Sequence, residues 1–209
     1  MTTPIPGPVY RVHTRRLVLR CWEPGDAPRL KAAVDASIEH LLPWMPFAAY
    51  EPQPLQHKIE LIRKWRSDFD SGRDFVYGIF SRDETLVIGS SGLHTRAGEL
   101  AREIGYWIHK AHTRRGYATE AAAALTRVAF AADKVERVEI HCDAANAISG
   151  AIAQNLGYTL EAKLRKRIRG ADGELRDMLV WTMLADEYLR SPLAGTPVEA
   201  FDAIGRRIL

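Results

Sequence analysis

The sequence predicts an α/β (α+β) fold in which helices cover both faces of a mixed sheet. Between residues 75 and 108, three alternating apolar segments are joined by polar or glycine-containing turns, a pattern that predicts a meander. After residue 116, helix-like and strand-like segments alternate, and this order places helices against a sheet. The 209 residues are enough for one large domain with a sizeable core, and they require no second domain.

Individual elements follow from hydrophobic periodicity and from the residues that start and stop helices. Strands are predicted over 17–22, 75–80, 85–93, 100–108, 138–142, 158–164 and 178–184. Helices are predicted over 24–37, 54–71, 117–133 and 148–156. A proline-interrupted segment over 42–47 separates the first two helices, and Asp172-Gly173 forms the turn of the last hairpin.

Composition places the chain among ordinary globular proteins, with 46% hydrophobic and 26% charged residues. A net charge of +3 suits an anionic cofactor as well as a nucleic acid, so it does not discriminate between them. Cys21 and Cys142 lie in strand-like segments without metal-binding or CxxC spacing, which predicts buried free thiols. No segment approaches the ~20 apolar residues of a membrane helix, and we expect a cytoplasmic protein that does not bind membranes.

The most informative segment is 103–120, which leads from a strand through a basic turn into an alanine-rich helix. The first turn of a helix has amide groups without intrahelical partners and the positive end of the helix dipole, so it attracts phosphates. Gly116 and Ala118 let phosphate oxygens approach the backbone, and Arg114 and Arg115 add positive charge. The segment therefore predicts a pyrophosphate-binding site.

Five short motifs extend this observation along the chain. They are GLH at 92–94, EIGYW at 103–107, RGYATEA at 115–121, NAIS at 146–149 and LGY at 156–158. In their order and spacing they resemble the GNAT superfamily of acyl-CoA-dependent N-acyltransferases, specifically its ribosomal-protein-serine acetyltransferase (RimJ/RimL) branch. The resemblance extends from about residue 17 to about residue 184.

The resemblance implies a GNAT-like mixed, mostly antiparallel twisted sheet. It implies an N-terminal extension over 1–16, an acyltransferase domain over 17–184 and a partly helical C-terminal tail over 185–209. The implied reaction is direct transfer of an acyl group from acetyl-CoA to a primary amine of a protein N terminus or a small molecule, without a metal. Succinyl-CoA or another acyl-CoA is an alternative donor. A nonenzymatic CoA-sensing or RNA-associated module is the alternative from another class, since a fold does not prove an activity.

The same resemblance implies where CoA binds. The backbone near Tyr106 would lie beside the pantetheine arm and polarise the thioester carbonyl. The residues expected to contact CoA are Tyr106, Trp107, Ile108, Arg114, Arg115, Gly116, Tyr117, Ala118, Thr119, Asn146 and Ser149.

Two residues are candidates for the base that deprotonates the amine. The period of two in the strand before the basic turn aims Glu103 into the acceptor cleft, where partial burial would raise the pKa of its carboxyl group. Glu103 is therefore the predicted general base, directly or through a water. The structural alternative is a surface carboxylate paired with Arg102 or with a cation on a neighbouring strand. His94 is the competing base, because histidine side chains exchange protons near neutral pH.

The acid that protonates the thiolate leaving group is predicted from a position at which this sequence differs from many GNAT members. Many GNAT members have a tyrosine seven residues after the asparagine equivalent to Asn146, and this chain has Ala153 there. The RimJ/RimL branch has a serine three residues after the asparagine, and Ser149 occupies that position. Ser149 is therefore the predicted proton donor, with a helix N-cap as its alternative role and water as an alternative donor.

Segment 41–47 resembles the acceptor-side loop of the branch. His40, Trp44 and Met45, together with His94 and Glu103, are the predicted acceptor-binding residues. The structural alternative is a proline-stiffened loop that buries its aromatic side chains in the core.

Two further segments bear on partners. The cations between 163 and 169 alternate with apolar residues, which favours a solvated strand face and makes a nucleic-acid partner the less favoured interpretation. In the tail, Phe201, Ile204 and Ile208 fall on one helical stripe that would cover the domain or a partner subunit, and the candidate assembly is a homodimer.

Overall fold

The computed structural model describes residues 8–209, which form a nine-stranded sheet with helices on both faces. The strands are β1 (Arg11–His13), β2 (Leu17–Cys21), β3 (Phe75–Ser81), β4 (Val87–His94), β5 (Ala101–Ile108), β6 (Arg137–Asp143), β7 (Thr159–Arg169), β8 (Leu175–Leu184) and β9 (Glu199–Phe201). The helices are α1 (Ala27–Asp35), α2 (Ile38–Leu41), α3 (Leu55–Asp70), α4 (Tyr117–Ala131), α5 (Ala147–Asn155) and α6 (Ala185–Arg190). The predicted fold class is confirmed.

The strand order is β7-β8-β6-β5-β4-β3-β2-β1-β9. Among the strand pairs of residues 8–209, β5 and β6 run parallel and the others run antiparallel. The parallel pair requires a crossover, and α4 supplies it between β5 and β6. Residues 109–116, which include a short 3-10 helix over Lys110–His112, connect the end of β5 to the first residue of α4.

Alternation along β2 assigns the two faces of the sheet to different helices. Val18 packs in a cluster with Leu30 of α1 and Ile62 of α3. Leu19, the next residue, packs instead in the cluster that contains Leu125 of α4. Successive side chains of a strand point to opposite faces, so α1 and α3 cover one face and α4 covers the other.

Both ends of the chain contribute strands to one side of the sheet, with β9 at the edge and β1 next to it, and periodicity predicted neither. Residues 11–13 of the N-terminal extension form β1, and residues 1–7 lie outside the described part of the chain. The tail begins with the helix α6, but the predicted helical stripe through Phe201, Ile204 and Ile208 is wrong. Phe201 ends β9, and Gly205 adopts a positive φ of 79° in a turn after it, so no helix continues through this segment.

Candidate active site

The centre of the site is a gap between β5 and β6. The two strands pair only where Ala101–Glu103 faces Arg137–Glu139, and no further β5–β6 pair forms within residues 8–209. Beyond Glu103 the strands separate, and a cavity of about 870 Å³ occupies the space between and beside them. Backbone groups on the edge of β5 therefore face this cavity instead of a neighbouring strand.

The cavity passes through the sheet. Glu103 and Tyr106 both line it, although their positions on β5 direct their side chains to opposite faces. His141 and Cys142 do the same from β6. Two substrates can therefore approach from opposite faces of the sheet and meet in the gap.

Glu103 is buried on the face that α1 and α3 cover, and its carboxylate is paired. Arg96 Nε donates to its Oε2 atom at 2.7 Å, and His141 Nδ1 lies 3.5 Å from the same oxygen. Burial alone would raise the pKa of Glu103. The hydrogen bonds and charge of Arg96, together with His141 and His94, outweigh burial and hold the pKa below its usual value. The expectation of a raised pKa for Glu103 is therefore wrong, because it left out the guanidinium.

His94 lies beside Glu103 in the register of β4 and β5 and is held by a second carboxylate. Its Nδ1 atom is 2.9 Å from Oδ2 of Asp74, which fixes the ring and assigns the proton between them to Nδ1. The ring lies over Gly92 and Gly105, where a Cβ atom would come within 2.6 Å and 3.4 Å of Nε2. Two glycines thus provide the space for the imidazole, and its second nitrogen is left to act on a ligand in the cavity.

Sequence reasoning missed the carboxylates and the histidine that complete this cluster. Glu139 Oε2 lies 2.6 Å from His141 Nε2, and Asp143 lines the cavity further along β6. These three residues alternate along the strand, so one face of β6 is entirely ionisable. That spacing was a usable signal. Asp74 gave no such signal, because only the sheet brings it to His94.

Ser149 lies on the opposite side of the gap. Its hydroxyl is 3.0 Å from the hydroxyl of Tyr106, and burial raises the pKa of that phenol to about 12. The N-cap interpretation of Ser149 is wrong. Asn146 is the N-cap of α5, and its Oδ1 atom accepts a hydrogen bond of 3.1 Å from the Ser149 amide. The serine hydroxyl is therefore not needed as a cap.

The predicted phosphate site has the expected backbone geometry. Gly116 is the N-cap of α4 with a φ of 75°, and Arg114 also has a positive φ of 60°. Within residues 8–209, no acceptor receives a hydrogen bond from the amides of Arg114 through Thr119. Consecutive free amides beside a helix N terminus form a concave anion-binding site.

Arg16 is a further cation at this site that the sequence did not indicate. Its guanidinium donates to the Arg115 carbonyl at 2.9 Å and lies 4.6 Å from the centroid of the Tyr117 ring. Its Nε atom donates to Glu120 at 2.6 Å, so the β1–β2 turn is fastened to the first turns of α4. Gly116 lies close to the same guanidinium, and a Cβ atom there would come within 3.4 Å of it.

The predicted acceptor-side residues are only partly brought together. Trp44 and Met45 line the cavity, whereas His40 of α2 is not among the described residues that line it. On the same side, Ile168 of β7 and Met178 of β8 form part of the wall. Trp44, Met45, Ile168 and Met178 make this part of the wall apolar, whereas the ion pair of Glu51 and Lys58 also lines the cavity.

Across residues 8–209, no group of three or more His, Cys, Asp or Glu side chains is arranged to hold a metal ion. No helix in the described part of the chain is both long enough and apolar enough to span a membrane.

A gap that gives two substrates separate approaches to one point defines a group-transfer enzyme, and the free amides of α4 suit a phosphate-bearing donor. Residues 16–159 match the family described as the acetyltransferase (GNAT) domain, and the chain belongs to that family. The resemblance stated from the sequence is confirmed. The protein is a GNAT-family N-acetyltransferase, an enzyme that acts on amino groups.

Individual relatives agree with this assignment. The [ribosomal protein uS5]-alanine N-acetyltransferase of Escherichia coli (strain K12) is 25% identical over 186 residues, covering 87% of this chain and 94% of its own. The uncharacterized N-acetyltransferase p20 of Bacillus licheniformis is 27% identical, covering 85% and 97%. Mycobacterium smegmatis RimJ in complex with CoA-disulfide has the same fold, with a TM-score of 0.74 at 24% identity, covering 91% of this chain and 96% of its own.

Proposed function

We propose that this enzyme transfers an acetyl group directly from acetyl-CoA to the N-terminal amine of a polypeptide. The observation that carries this proposal is the cavity through the sheet, which has Glu103 and His94 towards one face and Ser149 and Tyr106 towards the other. Direct transfer requires both substrates to be bound at once, and the gap offers each its own approach. A ribosomal-protein acetyltransferase among the relatives supports a polypeptide acceptor.

The donor would bind through the amides of residues 114 to 119, which have no acceptor of their own among the described residues. A pyrophosphate fits this backbone, because oriented amides meet it without rearrangement. Arg114 and Arg115 are exposed and would add a smaller, screened attraction. The acyl end would then lie along the unpaired edge of β5, where amide groups can stabilise negative charge on the thioester oxygen.

In this proposal the work of deprotonating the amine is divided between two residues. Glu103 has a lowered pKa and stays ionised, so it attracts the ammonium group into the gap. His94 accepts the proton on Nε2, while Asp74 stabilises the imidazolium through Nδ1. An α-amine, with an ordinary pKa of ~7.7 to 8.0, loses its proton more easily than a lysine side chain, at ~10.4. This division therefore favours an N-terminal acceptor.

On the donor side, Ser149 would give its hydroxyl proton to the departing thiolate. Tyr106 would pass a proton to Ser149 through the hydrogen bond between their hydroxyl groups, and solvent water would reprotonate Tyr106 before the next turnover. The pair takes the place of the single tyrosine that many GNAT members have at the position of Ala153.

The test is a comparison of His94→Gln with Glu103→Gln, using acetyl-CoA and short peptides with free N termini. His94→Gln should lower kcat by ~10²-fold and remove the acidic limb of the kcat/KM profile. Glu103→Gln should act mainly by raising KM for the peptide. His13→Gln, on the strand β1 away from the cavity, is the matched control.

Each result has a defined consequence. A wild-type rate and pH profile for His94→Gln, with loss of kcat in Glu103→Gln, would return the base role to Glu103 as the sequence predicted. Transfer to small amines but to no peptide would reject the polypeptide acceptor. Faster transfer from succinyl-CoA than from acetyl-CoA would reject acetyl-CoA as the acyl donor.

A further inference from the structure

The hairpin of β7 and β8 carries a bulge of three consecutive cations. Leu164 pairs with Met178 and Ile168 pairs with Arg176, so the three residues between them on β7 face the single residue Asp177 on β8. The three residues are Arg165, Lys166 and Arg167, and all of them are exposed. This segment, 165–167, is called the basic bulge.

No side chain of the basic bulge is held in an ion pair among the described residues, although the charge of Arg165 is one of the smaller causes that lower the pKa of Asp177. The facing carboxylate of Asp177 is engaged by Lys163 Nζ at 3.2 Å and by the backbone amide of Lys166 at 3.0 Å. The bulge therefore presents three positive charges to solvent, held on the backbone of a sheet strand.

The bulge stands at the edge of the acceptor side of the cavity. Ile168, directly after it, and Met178, across the hairpin, both line the cavity. Arg176 donates to the carbonyl of Pro43 at 3.2 Å and so joins the hairpin to the segment that carries Trp44 and Met45. A chain that enters past this wall to reach Glu103 must pass close to the bulge.

We propose that the basic bulge binds acidic side chains of the acceptor polypeptide, a few residues after its reacting amine. This inference rests on the proposed function, because it needs a polypeptide that enters from the hairpin side. The reacting end would be drawn towards the ionised Glu103, and the following acidic residues would meet the cations at the rim. The acceptor would therefore have a free amine followed by a negatively charged segment.

The surroundings of the bulge favour an acidic peptide over RNA. Residues 159–176 contain no Phe, Trp or Tyr on which a base could stack. Three cations also give a small footprint compared with the many phosphate contacts that support nucleic-acid affinity. RNA is therefore the competing ligand that the experiment must distinguish from an acidic peptide.

The experiment compares R165Q/K166Q/R167Q with the wild-type enzyme on two peptides of equal length. The peptides share their first residues and carry either acidic residues or the corresponding amides further on. The matched control removes three exposed cations outside the cavity wall: R63Q, R82Q and K134Q. Transfer to a small amine without acidic groups is measured in parallel. Peptide binding is measured by fluorescence anisotropy with CoA present.

We expect the wild type and the control to favour the acidic peptide by about tenfold in kcat/KM and in affinity at low salt. The preference should vanish at high salt and in the bulge variant, while small-amine transfer stays unchanged. Equal use of both peptides by the wild type, or a preference that survives in the bulge variant, would overturn the inference. The inference would also be overturned if R165Q/K166Q/R167Q lost binding to single-stranded RNA but kept the preference for the acidic peptide. The anisotropy measurement tests the bulge separately from the proposed function. If the acidic peptide binds through the bulge but is not acetylated, only the proposed function is contradicted.

Discussion

The hydroxyl groups of Tyr106 and Ser149 lie 3.0 Å apart across the gap between β5 and β6, although 43 positions separate the residues in the chain. The phenol belongs to the unpaired part of β5, and the serine belongs to the first turn of α5. Because both side chains line the cavity, the pair can pass a proton to a group bound there.

The pair makes a prediction about turnover. Tyr106→Phe and Ser149→Ala should each lower kcat by ~10- to 100-fold, and the double variant should lose little more because the two hydroxyls act as one unit. Steady-state release of the CoA thiol measures this. Tyr158→Phe is the matched control, since its hydroxyl bonds to Thr126 in the core and should affect stability alone. A wild-type kcat for Ser149→Ala would mean that the thiolate takes its proton from solvent.

The N-cap glycine of α4 makes a prediction about CoA affinity. Gly116→Val should weaken CoA binding more than Arg114→Ala, because a β-branched residue resists a φ of 75° and distorts several amides at once. Calorimetric titration of CoA into each folded variant is the measurement. Gly205→Val carries a similar backbone strain in a turn after β9 and should bind CoA normally. Equal affinity for wild type and Gly116→Val would refute the phosphate site.

The ion pair of Glu103 makes a prediction about stability and pH. The pKa of Glu103 is lowered from 4.5, so the ionised carboxylate stabilises the fold above that value, and this contribution is lost as pH falls through the lower folded-state pKa. The difference in Tm between wild type and Glu103→Gln should therefore be largest near neutral pH and shrink in acid. Glu99→Gln, at an exposed position before β5, is the control. A difference that stays constant down to pH ~3 would contradict the ionised pair.

The glycine beneath His94 makes a prediction about the position of the base. Gly92→Ala would bring a Cβ atom within 2.6 Å of Nε2, so the ring must leave its place or lose its bond to Asp74. We expect kcat to fall by about tenfold or more, with a changed acidic limb of the pH profile. Gly25→Ala, which meets no atom within 4 Å, should have neither effect. An unchanged profile for Gly92→Ala would show that His94 does not accept the proton from this position.

The parts of the fold that depend on local patterns were predictable. The strong helix α4, the meander β3–β5 and the final hairpin follow from periodicity, and their ends differ from prediction by a few residues. The short strands β1 and β9 were not predictable, because three residues give too little periodicity. Their pairing depends instead on backbone groups from distant parts of the chain.

In the site, too, local features were predictable from the sequence and features that depend on distant residues were not. The backbone of residues 114 to 119 is a local structure, and the sequence was enough to locate it. The state of Glu103 depends on Arg96 and His141, and the orientation of His94 depends on Asp74. Each of these partners comes from a different strand or turn, so the sign of the pKa shift could not be obtained from one strand alone.

The pairing of β9 with β1 joins segments from almost opposite ends of the chain, since Arg11 faces Phe201. Closing so long a loop costs entropy, and the three-residue strands return few contacts for it. This edge should therefore form late in folding and open first in the native state. Its amides should exchange with solvent deuterium well before those of β4 and β5, through a local opening that leaves the catalytic gap intact.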